Sequence, residues 1–152
     1  MYGKILVPID GSDTAALGLN EAIRLAKDQG GRIRLVHIVN ELIMAAPEAY
    51  VSNFAQVINI MRTGGQTILA DSESVVRSAG VEADTAFVEV IGGQAGDHIV
   101  QQAIKWGADL IVCGTHGRKG LRRLVLGSDA EYIVRHTPVP ILLVRSGNPI
   151  TK

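Results

Sequence analysis

Five short apolar runs, each followed by a stretch with helical spacing or by a turn, constrain this chain more than any other feature. They read KILVPID, RIRLVHIV, ADTAFVEVI, ADLIVCG and VPILLV. Runs this short, continuous and rich in Val and Ile suit strands buried on both faces of a parallel sheet. Between the first two, Ala15, Leu19, Ala22 and Ala26 recur at helical spacing; Ser12 or Asp13 can cap the start, and Gly30–Gly31 ends it. AGDHIVQQAIKWG and residues 129–136 carry further helical patterns. Strands alternating with helices predict an α/β fold: a doubly wound five-stranded parallel sheet with right-handed crossovers covering both faces.

Residues 40–80 form the longest connection. Helical spacing lies on both sides of Gly64–Gly65, and each glycine costs about 1 kcal/mol relative to Ala inside a helix. The pattern predicts a mobile entry followed by one broken or kinked helix. No linker or repeat interrupts the 152 residues, so 1–152 reads as one domain.

The 15 basic and 15 acidic residues balance, so no general attraction to nucleic acid or membrane is expected and any anion preference must be local. Apolar residues make up 47% of the chain but aromatics only 4%, which makes the core aliphatic. Cys113 is the sole cysteine and excludes an intrachain disulfide. With no secretory pattern at the N-terminus and no apolar run of membrane-spanning length, a cytoplasmic protein is expected.

The segment GTHGRKGLRRLVLGS, residues 114–128, follows the fourth strand. In an open α/β sheet that is the edge where ligands sit, at the point where strand order reverses. Its glycines let backbone N–H groups approach phosphate oxygens, and Gly127–Ser128 opens a helix whose first N–H groups have no intrahelical acceptor. The other reading stays open: Gly114 and Gly117 serve a tight turn, Gly127–Ser128 is a helix cap, and Arg118, Lys119, Arg122 and Arg123 form a solvated basic face. A Walker A loop is excluded, because Lys119 stands where its second glycine belongs, and the GxGxxG dinucleotide pattern is absent too.

Gly114, Gly117, Gly127 and Ser128 match the spacing G-x2-G-x9-G-[S/T]. Together with ILVPIDGS, LVHI, DLIVCGTHGR and TPVPILLV, the chain resembles the ATP-binding branch of the universal stress protein family over nearly its whole length. The resemblance implies strand order 3-2-1-4-5 and an ATP site that can take Mg²⁺ with the nucleotide. Gly114, Gly117, Gly127 and Ser128 would hold the phosphates, with Arg118, Asp129 and Ala130 beside them. Pro8, Ile9 and Asp10 would lie near adenine and ribose, the backbone of Ile38 would meet adenine, and Cys113, Thr115 and His116 would line the floor. One departure is Ala95, where the family usually has Pro, which leaves the local turn in question.

Residue types narrow some of these roles. Asp10 can bond ribose hydroxyls or the water shell of a metal ion, or it can form an Asx-turn ahead of the first helix. No protein-only metal site is expected, since no histidine pair has zinc spacing. Cys113 reads as a packing residue rather than a nucleophile, His37 as closing the second strand by local hydrogen bonding, His98 and His136 as helix-surface or terminal residues, and Trp106 as packing the third helix on the sheet.

Function then divides three ways. The first is ATP binding with a regulatory or signalling output. The second is a slow Mg²⁺-dependent ATPase or phosphotransferase, for which His116 is the one weak candidate to activate water. The third, a phosphorylation receiver, lacks its acidic cluster and has Arg145 where a lysine belongs. The resemblance also implies a homodimer through the strand at 139–144, an apolar edge with little to discourage pairing. If Pro140 faces that open edge, the N–H groups of Leu142 and Val144 face it too.

Overall fold

The computed structural model describes residues 1–41, 53–115 and 126–145. The chain runs β1 (Lys4–Pro8), α1 (Asp13–Gln29), β2 (Arg32–Asn40), α2 (Phe54–Ser78), β3 (Glu82–Val90), α3 (Ala95–Trp106), β4 (Leu110–Gly114), α4 (Ser128–His136) and β5 (Ile141–Val144). All pairings are parallel and the order is β3-β2-β1-β4-β5, as expected.

Strand alternation divides the core in two. Ile5, Val7, Ile33, Leu35, Leu110 and Val112 pack beneath α1 and α2; Leu6, Val36, Ile111 and Cys113 pack against α3 and α4. The central strands are therefore apolar on both sides, which is why they read as unbroken runs. Trp106 does pack α3 on the sheet, and it also carries the guanidinium of Arg34 at 4.8 Å from its ring centre.

α1 begins as its sequence predicts: Ser12 is the N-cap and its hydroxyl accepts from Ala15 N–H at 3.2 Å. α2 differs from expectation. It is one continuous helix of 25 residues through Gly64–Gly65. The reason lies across the interface: a Cβ at Gly65 would stand 2.6 Å from His37 Cδ2 and 2.8 Å from Phe87 Cε2. Gly65 gives up helix propensity to let α2 approach β2 and β3. The expected mobile entry lies almost wholly in residues 42–52, outside the described set.

β5 also differs. It is shorter than 139–144, because Val139 is held in a turn by the Thr137 hydroxyl. The direction of its backbone groups is the reverse of the one expected. Ile111 N–H donates to the Pro140 carbonyl at 3.0 Å and Thr115 N–H to the Val144 carbonyl at 3.0 Å, so residues 140, 142 and 144 face β4. In an extended strand the N–H and C=O of one residue point to the same side, which leaves Ile141 and Leu143 facing the open edge.

Candidate functional site

Strand order reverses between β1 and β4, and there the sheet opens. β1 pairs with β2 as far as Pro8–Val36, but with β4 only through Ile5–Leu110 and Leu6–Ile111. Beyond Leu6 the two strands part toward their carboxyl ends, forming the crevice that this topology reserves for ligands.

On the β1 side, Ile9 is buried and its N–H donates to the Val36 carbonyl at 2.8 Å. The Ile9 carbonyl accepts from His37 Nδ1 at 2.8 Å. His37 thus bonds across the sheet, 28 residues away in sequence, and lies inside β2 rather than closing it by a local bond. Asp10 Oδ1 accepts from Ser12 N–H at 2.9 Å, an Asx-turn that Gly11 permits with its φ of 80°. The carboxylate therefore sets the entry to α1. Ile38 lies on β2 with its side chain packed toward α3 and α4.

On the β4 side, Thr115 is a pivot. Its carbonyl accepts from Gly127 N–H at 2.8 Å while its own N–H bonds Val144. The chain that leaves at Thr115 is thereby tied to the residue that caps α4, and the first turn of α4 is held beside the end of β4. The first intrahelical bond runs from Glu131 N–H to the Gly127 carbonyl at 2.8 Å, so the N–H groups of Ser128, Asp129 and Ala130 have no acceptor within the helix. Ser128 is exposed and Ala130 buried. His116, Gly117 and Arg118 lie outside the described residues.

Two of the expected binding residues have a structural duty as well. A Cβ at Gly114 would lie 2.8 Å from both the carbonyl carbon and oxygen of Thr14, so this glycine seats α1 on β4. Gly18 faces the same seam from the helix side, where an added Cβ would stand 3.4 Å from the Cys113–Gly114 backbone, an ordinary van der Waals contact. Asp129 Oδ1 accepts from Gly96 N–H at 3.0 Å, and the Ser128 carbonyl accepts from Gln94 Nε2 at 2.8 Å. The Asp129 side chain therefore caps α3, and only its backbone belongs to the open end of α4. The turn that lacks the usual proline at Ala95 forms nonetheless: Asn40, buried on β2, accepts from Gly92 N–H at 3.0 Å and donates to the Gly93 carbonyl at 2.9 Å. Sequence reading missed Asn40 and Gln94; an amide side chain at a strand or helix end was the one signal available.

Cys113 is buried, and desolvation pushes its thiol up to about 12. A raised thiol pKa favours the folded state fully below the unfolded value of about 8.5, and that contribution is lost as pH rises toward 12. Iodoacetamide at pH 8 should leave the native protein unmodified and alkylate it readily in urea. Equal rates in the two conditions would refute burial of the thiol.

Two hollows border the crevice. One of about 260 Å³ is lined by Ile9, Gly11, Ser12 and residues of α1 and α2; one of about 240 Å³ is lined by Gln94, Ser128 and the outer face of α4. Neither includes both strand ends. Among the described residues no cluster of His, Cys, Asp and Glu could hold a metal ion, and no helix is long and apolar enough to cross a membrane.

A parallel sheet in this order, with the first turn of a helix held beside the end of β4, defines a small doubly wound α/β protein. The chain belongs to the universal stress protein family, whose model matches residues 1–145. It is 30% identical to universal stress protein YxiE of Bacillus subtilis, over 95% of this chain and 100% of that one. Among solved structures it resembles the hypothetical protein MJ0577, with a TM-score of 0.83, 25% identity and coverage of 98% and 99% of the two chains. A universal stress protein from Archaeoglobus fulgidus in complex with dAMP (TM-score 0.65, 23% identity, 94% and 98% covered) shares the fold. So does a universal stress protein in complex with cAMP (TM-score 0.65, 21% identity, 96% and 98% covered).

Proposed function

We propose that this universal stress protein binds an adenine nucleotide in the β1–β4 crevice, ATP with Mg²⁺ being the form its glycine spacing suits best, and that binding has a regulatory output. One observation carries the reading: the bond from Gly127 N–H to the Thr115 carbonyl holds three helix N–H groups without intrahelical acceptors beside the strand ends, where phosphate oxygens would be received. The family relatives in complex with dAMP and cAMP support the adenine part.

In this reading the backbone of Gly114, Gly117, Gly127, Ser128, Asp129 and Ala130 receives the phosphates with Arg118 beside them. Pro8, Ile9, Asp10 and Ile38 take the nucleoside, and Cys113, Thr115 and His116 floor the site. Bound Mg²⁺ would screen phosphate charge. Binding is favoured over turnover because the carboxylates among the expected site residues, Asp10 and Asp129, each have an oxygen committed to a backbone N–H. Hydrolysis should run far below one turnover per second. The proposal extends to a single cytoplasmic domain that pairs through β5.

At about 100 times the dissociation constant, one-site linkage adds roughly 2.7 kcal/mol, which for a chain of this size raises the melting point by roughly 5 to 10 °C. Melting curves with ATP and Mg²⁺, ADP, AMP and cAMP should show such a shift with at least one of them, and a smaller one with GTP. Curves unmoved by every adenine nucleotide at millimolar concentration would overturn the reading.

A further inference from the structure

We infer that His37 is a positioning residue: its imidazole takes the Ile9 carbonyl out of the β1–β2 ladder and so leaves the Ile38 N–H facing the crevice as a donor for the nucleobase. The effect on affinity rests on the adenine-nucleotide reading; the effect on the backbone does not.

Ladder parity fixes which way each backbone group points. Ile9 N–H donates to the Val36 carbonyl, so Val36 presents its backbone groups toward β1, and so does Ile38, two residues on. Continued pairing would give the Ile9 carbonyl the Ile38 N–H as its next donor. That bond is not formed among the described residues. The carbonyl is met instead by His37 Nδ1 at 2.8 Å. Because a carbonyl only accepts, Nδ1 must carry the proton.

The ring cannot easily leave. It is 6% exposed, stacks on Phe87 with 6.1 Å between ring centres and 11° between planes, and lies under α2 where a Cβ at Gly65 would reach within 2.7 Å of Nε2. The glycine that deprives α2 of propensity is thus the space in which the imidazole sits. The outcome is a main-chain N–H at the carboxyl edge of β2, oriented toward β1 and not used by the sheet. Such a donor, fixed by its strand, can meet a ring nitrogen of a purine, while the adjoining carbonyl can meet an exocyclic amino group.

Amide hydrogen exchange followed by NMR tests the backbone claim without any ligand. In the wild type, Ile38 N–H should exchange at least about ten-fold faster than Val36 N–H, which faces the same side within the ladder. In His37→Leu, which has no donor, the rung should close and Ile38 exchange should slow by about ten-fold or more. His37→Asn places an amide N–H near the Nδ1 position and should keep Ile38 fast. Gly65→Ala, which crowds the ring, should behave as His37→Leu does. Titration calorimetry should then show adenine-nucleotide affinity falling by about ten-fold in His37→Leu and staying within about three-fold of wild type in His37→Asn. An Ile38 amide as protected as Val36 in the wild type would overturn the inference whether or not any variant folds. So would folded Leu and Asn variants that exchange and bind alike. A wild type with the expected exchange pattern but no affinity for adenine nucleotides would uphold the backbone claim and remove the nucleotide reading alone.

Discussion

Leu142→Pro should destabilise the fold by about 3 kcal/mol or more, whereas Leu143→Pro, one residue on, should cost far less. The two side chains are both half-buried leucines, one on each face of the sheet. What separates them is which way the backbone N–H points. The carbonyls of Pro140 and Val144 accept from β4, which puts the N–H of Leu142 on the β4 side and that of Leu143 on the open edge. Proline at 142 removes a donor to Ile111, a residue with 0% exposure, and leaves a buried carbonyl unpaired, a penalty of about 1–3 kcal/mol. Loss of the leucine's packing against the α1/α2 core and a ring pressed against β4 add to that. Leu143→Pro loses only its own packing while the monomer ladder stays complete. If β5 pairs with its own copy in solution, Leu143→Pro is the variant that weakens the dimer. Urea unfolding and light scattering on both proteins would settle the assignment; greater loss of fold stability in Leu143→Pro would reverse it.

Gly114→Ala should lower the melting point by roughly 3 to 10 °C with no nucleotide present, from an overpacking cost of about 1–3 kcal/mol. The first glycine of the loop signature reads most simply as a place where phosphate comes close. The structure gives it a second duty, because the new methyl would stand 2.8 Å from two backbone atoms of Thr14. Backbone cannot rotate aside as a side chain can, so α1 must shift. The same shift would disturb Ser12 and Asp10 at the start of that helix and, with the nucleotide site as proposed, reduce stabilisation by nucleotide too. A variant that melts like the wild type when free of ligand, yet loses its response to nucleotide, would confine Gly114 to the ligand and refute the packing role.

Much of this architecture was present in local pattern. Unbroken Val- and Ile-rich runs mark strands covered on both faces, and Ser12 before an apolar helical spacing marks the start of α1; each depends on residues near in sequence. The pair Gly127–Ser128 likewise announced the helix start that the structure holds at the crevice. The amino-acid sequence by itself thus determined the alternation of elements, the aliphatic two-sided core and the start of α4.

The tertiary structure alone decided what the glycines and the polar groups do with that frame. A glycine pair inside a helix reads as a break when only backbone freedom is counted, yet Gly65 is where β2 and β3 side chains need room, and their identity is set by a helix crossing that no local pattern contains. The facing of Leu142 depends on register with β4, which shifts every N–H to the other side if it slips by one residue. His37 looked like a strand-end residue because its partner, the Ile9 carbonyl, is 28 residues away and becomes its neighbour only once β1 and β2 pair. Periodicity reports which side of an element is apolar, while hydrogen-bond partners and close approaches follow from how the elements meet.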